Sequence, residues 1–180
     1  MKYVTAAFIF HKGKLLTVFH KKLNIWLHVG GHVEENETFE DALIREVKEE
    51  VNLSVKICTP YFSQKTKYKV NFKAQPLYIH YGEENGLKKT WLDFLCTTND
   101  ISSLKIKKDE LKTHKWVSLA EFKELRTFPL VRKLGVLAFD ILKSKNTKSI
   151  LNSFYGAAID FPDVTKKRYF RPRNKKMFKI

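Results

Sequence analysis

The stretch that most constrains this chain runs from Gly30 to Leu53: two glycines, a short acidic turn, then a helical pattern whose later part holds Arg45-Glu46-Val47-Lys48-Glu49-Glu50. Phe39, Leu43, Val47 and Val51 recur at four-residue steps with Ala42 and Ile44 alongside, which predicts a helix over 38–53 with one apolar stripe facing a core. Glu46, Glu49 and Glu50 stand three and four residues apart on a neighbouring face. As a bare helix this arrangement is poor. Like charges at that spacing cost roughly 0.2–0.5 kcal/mol per pair, and acids near a helix C-terminus meet the negative end of the dipole at roughly 0.3–1 kcal/mol each. A divalent cation reverses the sign of both effects. Mg²⁺, a hard ion that takes carboxylates and completes its octahedron with waters and substrate phosphates, suits such a site. The stretch therefore reads as a holder for metal and a diphosphate.

Its spacing is also that of a known signature. From Gly31 there are five residues to Glu37 and seven more to Arg45-Glu46, followed by Val47, Lys48, Glu49-Glu50, Val51, Asn52 and Leu53. This resembles the Nudix box of hydrolases that act on nucleoside diphosphates linked to another moiety. Three glutamates alone would be read as a solvated helix face; Gly31, Glu37, Arg45, Val47 and Leu53 falling on their marks reverse that. Two positions depart. Asn52 stands where the family has Gly, a mild change because Asn is the next most tolerant residue for the left-handed conformation that ends helices. His28-Val29 replaces the Leu-Pro or Pro-Pro that often precedes the double glycine, which affects loop geometry and not the metal site.

The resemblance implies an α/β/α sandwich around a mixed β-sheet, an α+β fold, with Mg²⁺ as cofactor and Mn²⁺ able to stand in. It implies metal ligation by Glu46, Glu49, Glu50 and the backbone carbonyl of Gly30. It also implies a structural salt bridge between Glu37 and Arg45, whose side chains return to nearly the same azimuth after eight residues. Arg45 can meet Glu49 as well, four residues on. Glu37 and Arg45 are therefore assigned to orienting the acids, not to proton transfer. The general base varies in this family between a box glutamate, here Glu49 or Glu50, and an acid on a later loop. Asp109 and Glu110 are the first loop candidates, Glu83 and Glu84 the next, and His114 a third kind because imidazole titrates near neutrality.

At 180 residues with 43% hydrophobic side chains the chain has enough material for one globular domain. There is no run of about 18 apolar residues, and Met1-Lys2-Tyr3 opens into a strand pattern instead of a secretory segment, so a cytoplasmic protein without membrane contact is expected. Cys58 and Cys96 lack metal-type spacing and read as reduced, buried packing residues. The formal charge of +15 points to an anionic partner, and its distribution is uneven. Residues 144–180 carry ten Lys or Arg against Asp160 and Asp163, whereas the first fifty residues hold seven basic and eight acidic side chains. We thus expect a Nudix domain over 1–143 and a basic, aromatic extension over 144–180. In the extension Lys166-Lys167-Arg168-Tyr169-Phe170-Arg171-Pro172-Arg173 has the composition that grips phosphates and stacks bases, an RNA contact, or that docks on a second subunit. The apolar residues of 152–162 predict that the extension is ordered.

In chain order, Tyr3 to Phe10 and Leu15 to Phe19 predict a hairpin turned at Gly13, and Ile25 to Val29 a short strand into the glycines. Thr38 is a good N-cap, with Asp41 nearly completing a capping box. Strands are predicted over Ser54 to Phe62, Lys67 to Phe72, Leu77 to Tyr81, Trp91 to Thr97 and Lys112 to Val117, with a turn at Glu83-Glu84-Asn85-Gly86. Ser118 caps a short helix to Leu125, and Leu130 to Leu142 is a second helix packed on the sheet. Trp26 and Trp91 read as core, with base stacking as the alternative. His28 and His32 read as surface or hydrogen-bonded residues, and Glu34 as an exposed loop acid. The expected function is Mg²⁺-dependent hydrolysis of a diphosphate linkage in a nucleoside triphosphate, a nucleotide sugar or a similar nucleotide, by a monomer or homodimer. The alternative is a non-catalytic Nudix domain that senses nucleotides or binds RNA through its tail.

Overall fold

A computed structural model describes residues 2–58, 74–84 and 86–143; the predicted strand over 67–72 and the basic extension lie outside them. Strands β1 (Lys2–His11) and β2 (Lys14–His20) form the expected hairpin. Its turn places Lys12 at φ 46° and Gly13 at φ 76°, the two positive angles that match the right-handed twist of the flanking strands. The predicted strand over 25–29 is two strands: β3 (Ile25–Leu27) pairs with β2, and β4 (Val29–His32) pairs with β1. His28 sits at the break, so the double glycine lies within a strand and not after one.

Helix α1 (Phe39–Val51) follows, with Thr38 as N-cap. The Thr38 hydroxyl accepts from the Asp41 backbone N–H and donates to the Asp41 carboxylate, so the reciprocal half of a capping box is absent. Asn52 ends the helix at φ 54°, ψ 35°, the left-handed conformation expected of it. Beyond it come β5 (Lys56–Ile57), β6 (Tyr78–Glu84), β7 (Leu87–Thr97), β8 (Leu111–Val117), α2 (Leu119–Glu124) and α3 (Pro129–Lys143). Glu83 and Glu84 extend β6 by pairing with Lys88 and Leu87, so they belong to a tight hairpin and not to a loop. Ser118 and Glu121 form the full capping box of α2, and Pro129 opens α3, where its missing N–H costs nothing.

The strands form one mixed sheet in the order β3-β2-β1-β7-β5, with β4 on β1, β6 on β7 and β8 on β2. Only β1 and β7 run parallel among the described pairs. Along one edge β1 pairs first with β4 through Val4–Ala7 and then with β2 through Phe10 and His11, so the sheet splays between two branches. Alternation along β1 feeds two cores. Ala7 and Ile9 join Leu43, Val47 and Val51 of α1 with Val29, Leu92, Phe94 and Cys96. Phe8 and Phe10 face the other helical layer, where Phe10 meets Phe139 edge-on at 4.9 Å and Phe139 lies against Phe122. Gly135 is required there, since a Cβ would collide with Phe122.

The result is the α/β/α arrangement expected from the sequence. Several packing expectations shift. Phe39 and Ile44 are exposed, because the apolar stripe of α1 narrows to Ala42, Leu43, Val47 and Val51. Leu130 is likewise exposed on α3. Cys96 is buried, but Cys58 is half-buried, just past the end of β5; both are free thiols. Among the described residues no helix is long and apolar enough to cross a membrane.

Candidate active site

The glutamates of α1 close against the double glycine. An added Cβ on Gly30 would strike the backbone of Thr5 and Ala6, and one on Gly31 would strike the Glu46 carboxylate. Gly30 therefore needs glycine for its close approach to the β1 backbone, whereas a side chain at Gly31 would displace the Glu46 carboxylate from its place against the strand. Glu50 is only 7% exposed, and its Oε2 accepts from the Gly30 N–H at 3.2 Å. Burial pushes its carboxyl up to about 8, against the pull of the Gly30 hydrogen bond and with the Glu46 and Glu110 charges adding to the rise.

Arg45 organises the other acids. Its Nε donates to Glu37 Oε1 at 2.9 Å and its Nη2 to Glu37 Oε2 at 3.0 Å, a two-pronged clamp. Nη1 donates to Glu46 Oε1 at 2.9 Å and lies 3.5 Å from Glu49 Oε1, while Nη2 also reaches the His32 carbonyl at 2.9 Å. The Arg45 hydrogen bond holds the Glu37 carboxyl below its usual range. A second Glu37 contact, from the Glu34 N–H at 3.1 Å, pins the turn before the helix. The chain thus uses one guanidinium to tie the turn, the glycine strand and two of the three box acids together.

These groups form one wall of an open cleft of about 890 Å³. Both sheet branches supply its floor: Val4, Ala6, His28, Gly30 and His32 from one, His20, Leu23 and Leu27 from the other. The β6–β7 hairpin adds His80, Glu84, Lys89, Trp91 and Asp93, and the start of α3 adds Pro129, Leu130, Val131 and Leu134. Of the loop-acid candidates, Glu110 lines the cleft, paired with Lys107 at 2.9 Å. Glu84 lines it too, in an ion pair with Lys89 that holds its carboxyl low. Asp109 and Glu83 are exposed, and His114 sits in β8 opposite Val18; none of these three lines the cleft. Trp26 and Trp91 are half-buried instead of core.

One constellation escaped the sequence. Asp93 on β7 is 1% exposed, and its Oδ1 accepts from His28 Nε2 at 2.8 Å while its Oδ2 lies 3.2 Å from His80 Nδ1. Burial raises its carboxyl, but the two histidine contacts outweigh that and hold it below the usual range. The signal was an acid inside the apolar run Trp91–Cys96, where a buried charge demands partners. Its partners come from 65 residues upstream and from the neighbouring strand, so no spacing rule could supply them.

Fold and site together define an α+β sandwich with an acid-bearing helix leaving a double glycine. The family model for the NUDIX domain matches residues 2–134. An RNA pyrophosphohydrolase from Baumannia cicadellinicola subsp. Homalodisca coagulata is 32% identical over 114 residues, 59% of this chain and 69% of that protein. A NUDIX-family hydrolase from Clostridium perfringens superposes with a TM-score of 0.67 at 26% identity, covering 78% of this chain and 97% of the other. A C. elegans Ap4A hydrolase shares the fold at a TM-score of 0.60 and 19% identity, over 79% and 97% of the two chains. The chain belongs to the Nudix hydrolase family.

Whether the acids suit a cation can be judged from their surroundings. Among the described residues no three His, Cys, Asp or Glu side chains are already drawn together as a cage. Glu50 nevertheless keeps a carboxyl in a nearly closed setting, with Glu46 and Glu110 contributing further negative charge. All the side-chain donors are oxygens, the preference of a hard divalent ion. The residues fit such an ion, with side-chain adjustment on loading.

Proposed function

We propose that this enzyme hydrolyses a diphosphate linkage in a nucleoside diphosphate derivative, such as a nucleoside triphosphate or nucleotide sugar, with Mg²⁺ as cofactor. The observation that carries the reading is Glu50, buried against the Gly30 backbone beside the Glu46 carboxylate that Arg45 holds. A carboxylate in that setting is unfavourable without a cation. The similarity to an RNA pyrophosphohydrolase and, in fold, to an Ap4A hydrolase supports a phosphoanhydride joined to a nucleoside as the substrate class.

Glu46, Glu49, Glu50 and the Gly30 carbonyl would hold the metal. When bound it supplies Lewis-acid charge that neutralises the phosphate oxygens. Arg45 and Glu37 are positioning residues: their clamp holds the α1 acids toward the cleft. Glu110, at the cleft and hydrogen-bonded to Lys107 at 2.9 Å, is the proposed proton acceptor for the attacking water. The water's oxygen bonds to phosphorus, its proton passes to a carboxylate, and the bridging oxygen leaves with its electron pair on the departing phosphate.

Phosphate or pyrophosphate release from a nucleotide panel, with and without Mg²⁺, tests the reading beside a Glu49→Gln variant. Turnover that needs the metal and falls in the variant supports it; no turnover on any substrate, or an equally active variant, overturns it. The division into a catalytic domain over 1–143 and an RNA-contacting extension over 144–180 is likewise a proposal. A chain truncated after Lys143 should keep turnover of small nucleotides while losing affinity for RNA, and unchanged RNA affinity would remove that role.

A further inference from the structure

The β6–β7 wall of the cleft has a chemistry of its own. Tyr78, His80, Gly82 and Glu84 of β6 lie directly across from Asp93, Trp91, Lys89 and Leu87 of β7, and so share one sheet face. On that face the His80 imidazole lies flat on Trp91, with ring centroids 5.2 Å apart and planes at 4°. The other imidazole, His28, is stacked on Phe8 at 4.6 Å and 17°. Asp93 holds both.

A purely structural tie would leave these polar atoms satisfied. Here Asp93 Oδ2, His80 Nδ1 and His28 Nδ1 are all buried without an aligned hydrogen bond: the 3.2 Å approach of His80 to Asp93 is within charge-pairing range but off hydrogen-bond geometry. Orphaned buried polar groups destabilise a fold, and apolar side chains at these positions would serve it better. These atoms are closed to solvent and so to any ligand; what the cluster does is fix the ring of His80, which lines the cleft. The cleft also presents exposed apolar side chains, Phe128 at 49% and Leu130 at 40%, beside Leu23, Leu27 and Val131. An apolar lining with a few converging polar groups suits a flat molecule with a hydrogen-bonding edge.

We propose that His80, held on Trp91 and anchored by the buried Asp93, contacts the heterocyclic base of the substrate, whose faces meet Trp91 and the apolar residues Phe128 and Leu130. This rests on the nucleotide reading above, in which the α1 acids take the diphosphate of the same molecule. Asp93 is a positioning residue. The 3.2 Å approach of the Asp93 carboxylate, which carries no proton to donate, favours the imidazole proton of His80 on the facing Nδ1 by charge and leaves Nε2, which has no partner among the described residues, as an acceptor for a ring N–H or amino group.

Binding of nucleoside 5′-monophosphates to the full chain, without metal and followed by histidine side-chain NMR, tests this apart from turnover. In the parent protein His80 should show the Nδ1–H tautomer and shift on titration. His80→Ala should weaken monophosphate binding about tenfold, the scale of one lost hydrogen bond with its contacts, and leave inorganic pyrophosphate binding, measured separately with Mg²⁺ present, within about twofold. His80→Gln should recover part of the loss, since its amide can still hydrogen-bond. Asp93→Asn should move the tautomer to Nε2–H and weaken binding with it. Absence of monophosphate binding, or binding unaltered in His80→Ala with diphosphate hydrolysis intact, overturns this inference and leaves the hydrolytic function standing. Conversely, His80-dependent binding by a chain that turns over no nucleotide supports the base site and overturns the hydrolytic reading alone.

Discussion

The two walls of the cleft are built in opposite ways. The α1 wall comes from 24 consecutive positions, Gly30 to Leu53, and its main contacts stay within that stretch: Arg45 to Glu37, Glu46 and Glu49, and Glu50 to Gly30. The β6–β7 wall joins His28, His80 and Asp93, brought together only because β7 runs parallel to β1 while β4 pairs with β1 from the other side. A helix writes its chemistry into residue spacing; a sheet face writes it into register. The difference divides the labour as well: charge handling for the diphosphate on the helix, selection of the attached group on the hairpin.

The largest effect should come from the α1 wall. Glu50→Gln should lower turnover with saturating Mg²⁺ by about 10²–10³-fold, the scale for losing one charge-stabilising group. It should also do what no hairpin substitution does, and raise stability without metal. In the unfolded chain Glu50 ionises near the ordinary glutamate value of about 4.5, while the folded protein keeps it protonated up to about 8. Between those values the folded state binds the extra proton, so parent stability falls as pH rises. Gln, neutral throughout, escapes that loss. The metal-free variant should therefore match the parent near pH 4 and exceed it, by on the order of a few kcal/mol, at pH 8. Thermal melts across that range check it, and a gap that stays constant with pH would mean that Glu50 is not held protonated.

Arg45→Lys comes next. Lysine keeps the charge but cannot reach Glu37, Glu46 and the His32 carbonyl at once. Turnover should drop about 10–100-fold, as for the supporting partners of metal ligands generally, with the apparent Mg²⁺ requirement rising in parallel. Should kcat fall while the Mg²⁺ dependence stays fixed, Arg45 would be acting on substrate and not on the acids.

Trp91→Leu probes the other wall and should be gentler. It removes the ring beneath His80 while keeping an apolar side chain, so KM should rise about three- to tenfold, the scale of one aromatic contact, with kcat nearly constant. A fall in kcat with unchanged KM would place the hairpin in the chemical step and erase the contrast between the walls.

How much could be read in the sequence follows from the same contrast. The helix, its caps, the Glu37–Arg45 pair and the hairpin turned at Gly13 all rest on residues within about two turns of one another, where spacing determines who can touch. Glu84 read as a turn residue, yet it pairs with Leu87 in a hairpin tighter than the composition suggested. His28 looked like part of a strand and is the hinge between two. Asp93 carried a local anomaly, an acid in an apolar run, but its partners depended on strand order. Leu130 read as part of a helix packed on the sheet; that it and Phe128 line a cleft follows from how α3 packs over Phe8 and Phe10, which periodicity does not encode.

The smallest effect should fall at Asn52, where this chain departs from its family. Gly would occupy φ 54° without penalty, but Asn52 Nδ2 donates to the Ser103 carbonyl at 2.7 Å, a bond worth about 0.5–1.5 kcal/mol. That bond ties the end of α1 to the loop carrying Lys107, whose N–H donates to the Glu50 carbonyl at 2.8 Å. Asn52→Gly should thus be close to neutral in stability, since relief of the left-handed conformation offsets the lost side-chain bond. Asn52→Ala suffers both losses and should cost about 1–2 kcal/mol. Turnover should change less than twofold in Asn52→Gly if the family glycine only ends the helix. A loss of turnover well beyond twofold and equal in Asn52→Gly and Asn52→Ala, the two variants that both lack the amide, would show that the asparagine amide, through Ser103, positions the Lys107–Glu110 pair over the cleft, and would bring a distant loop into the helix wall.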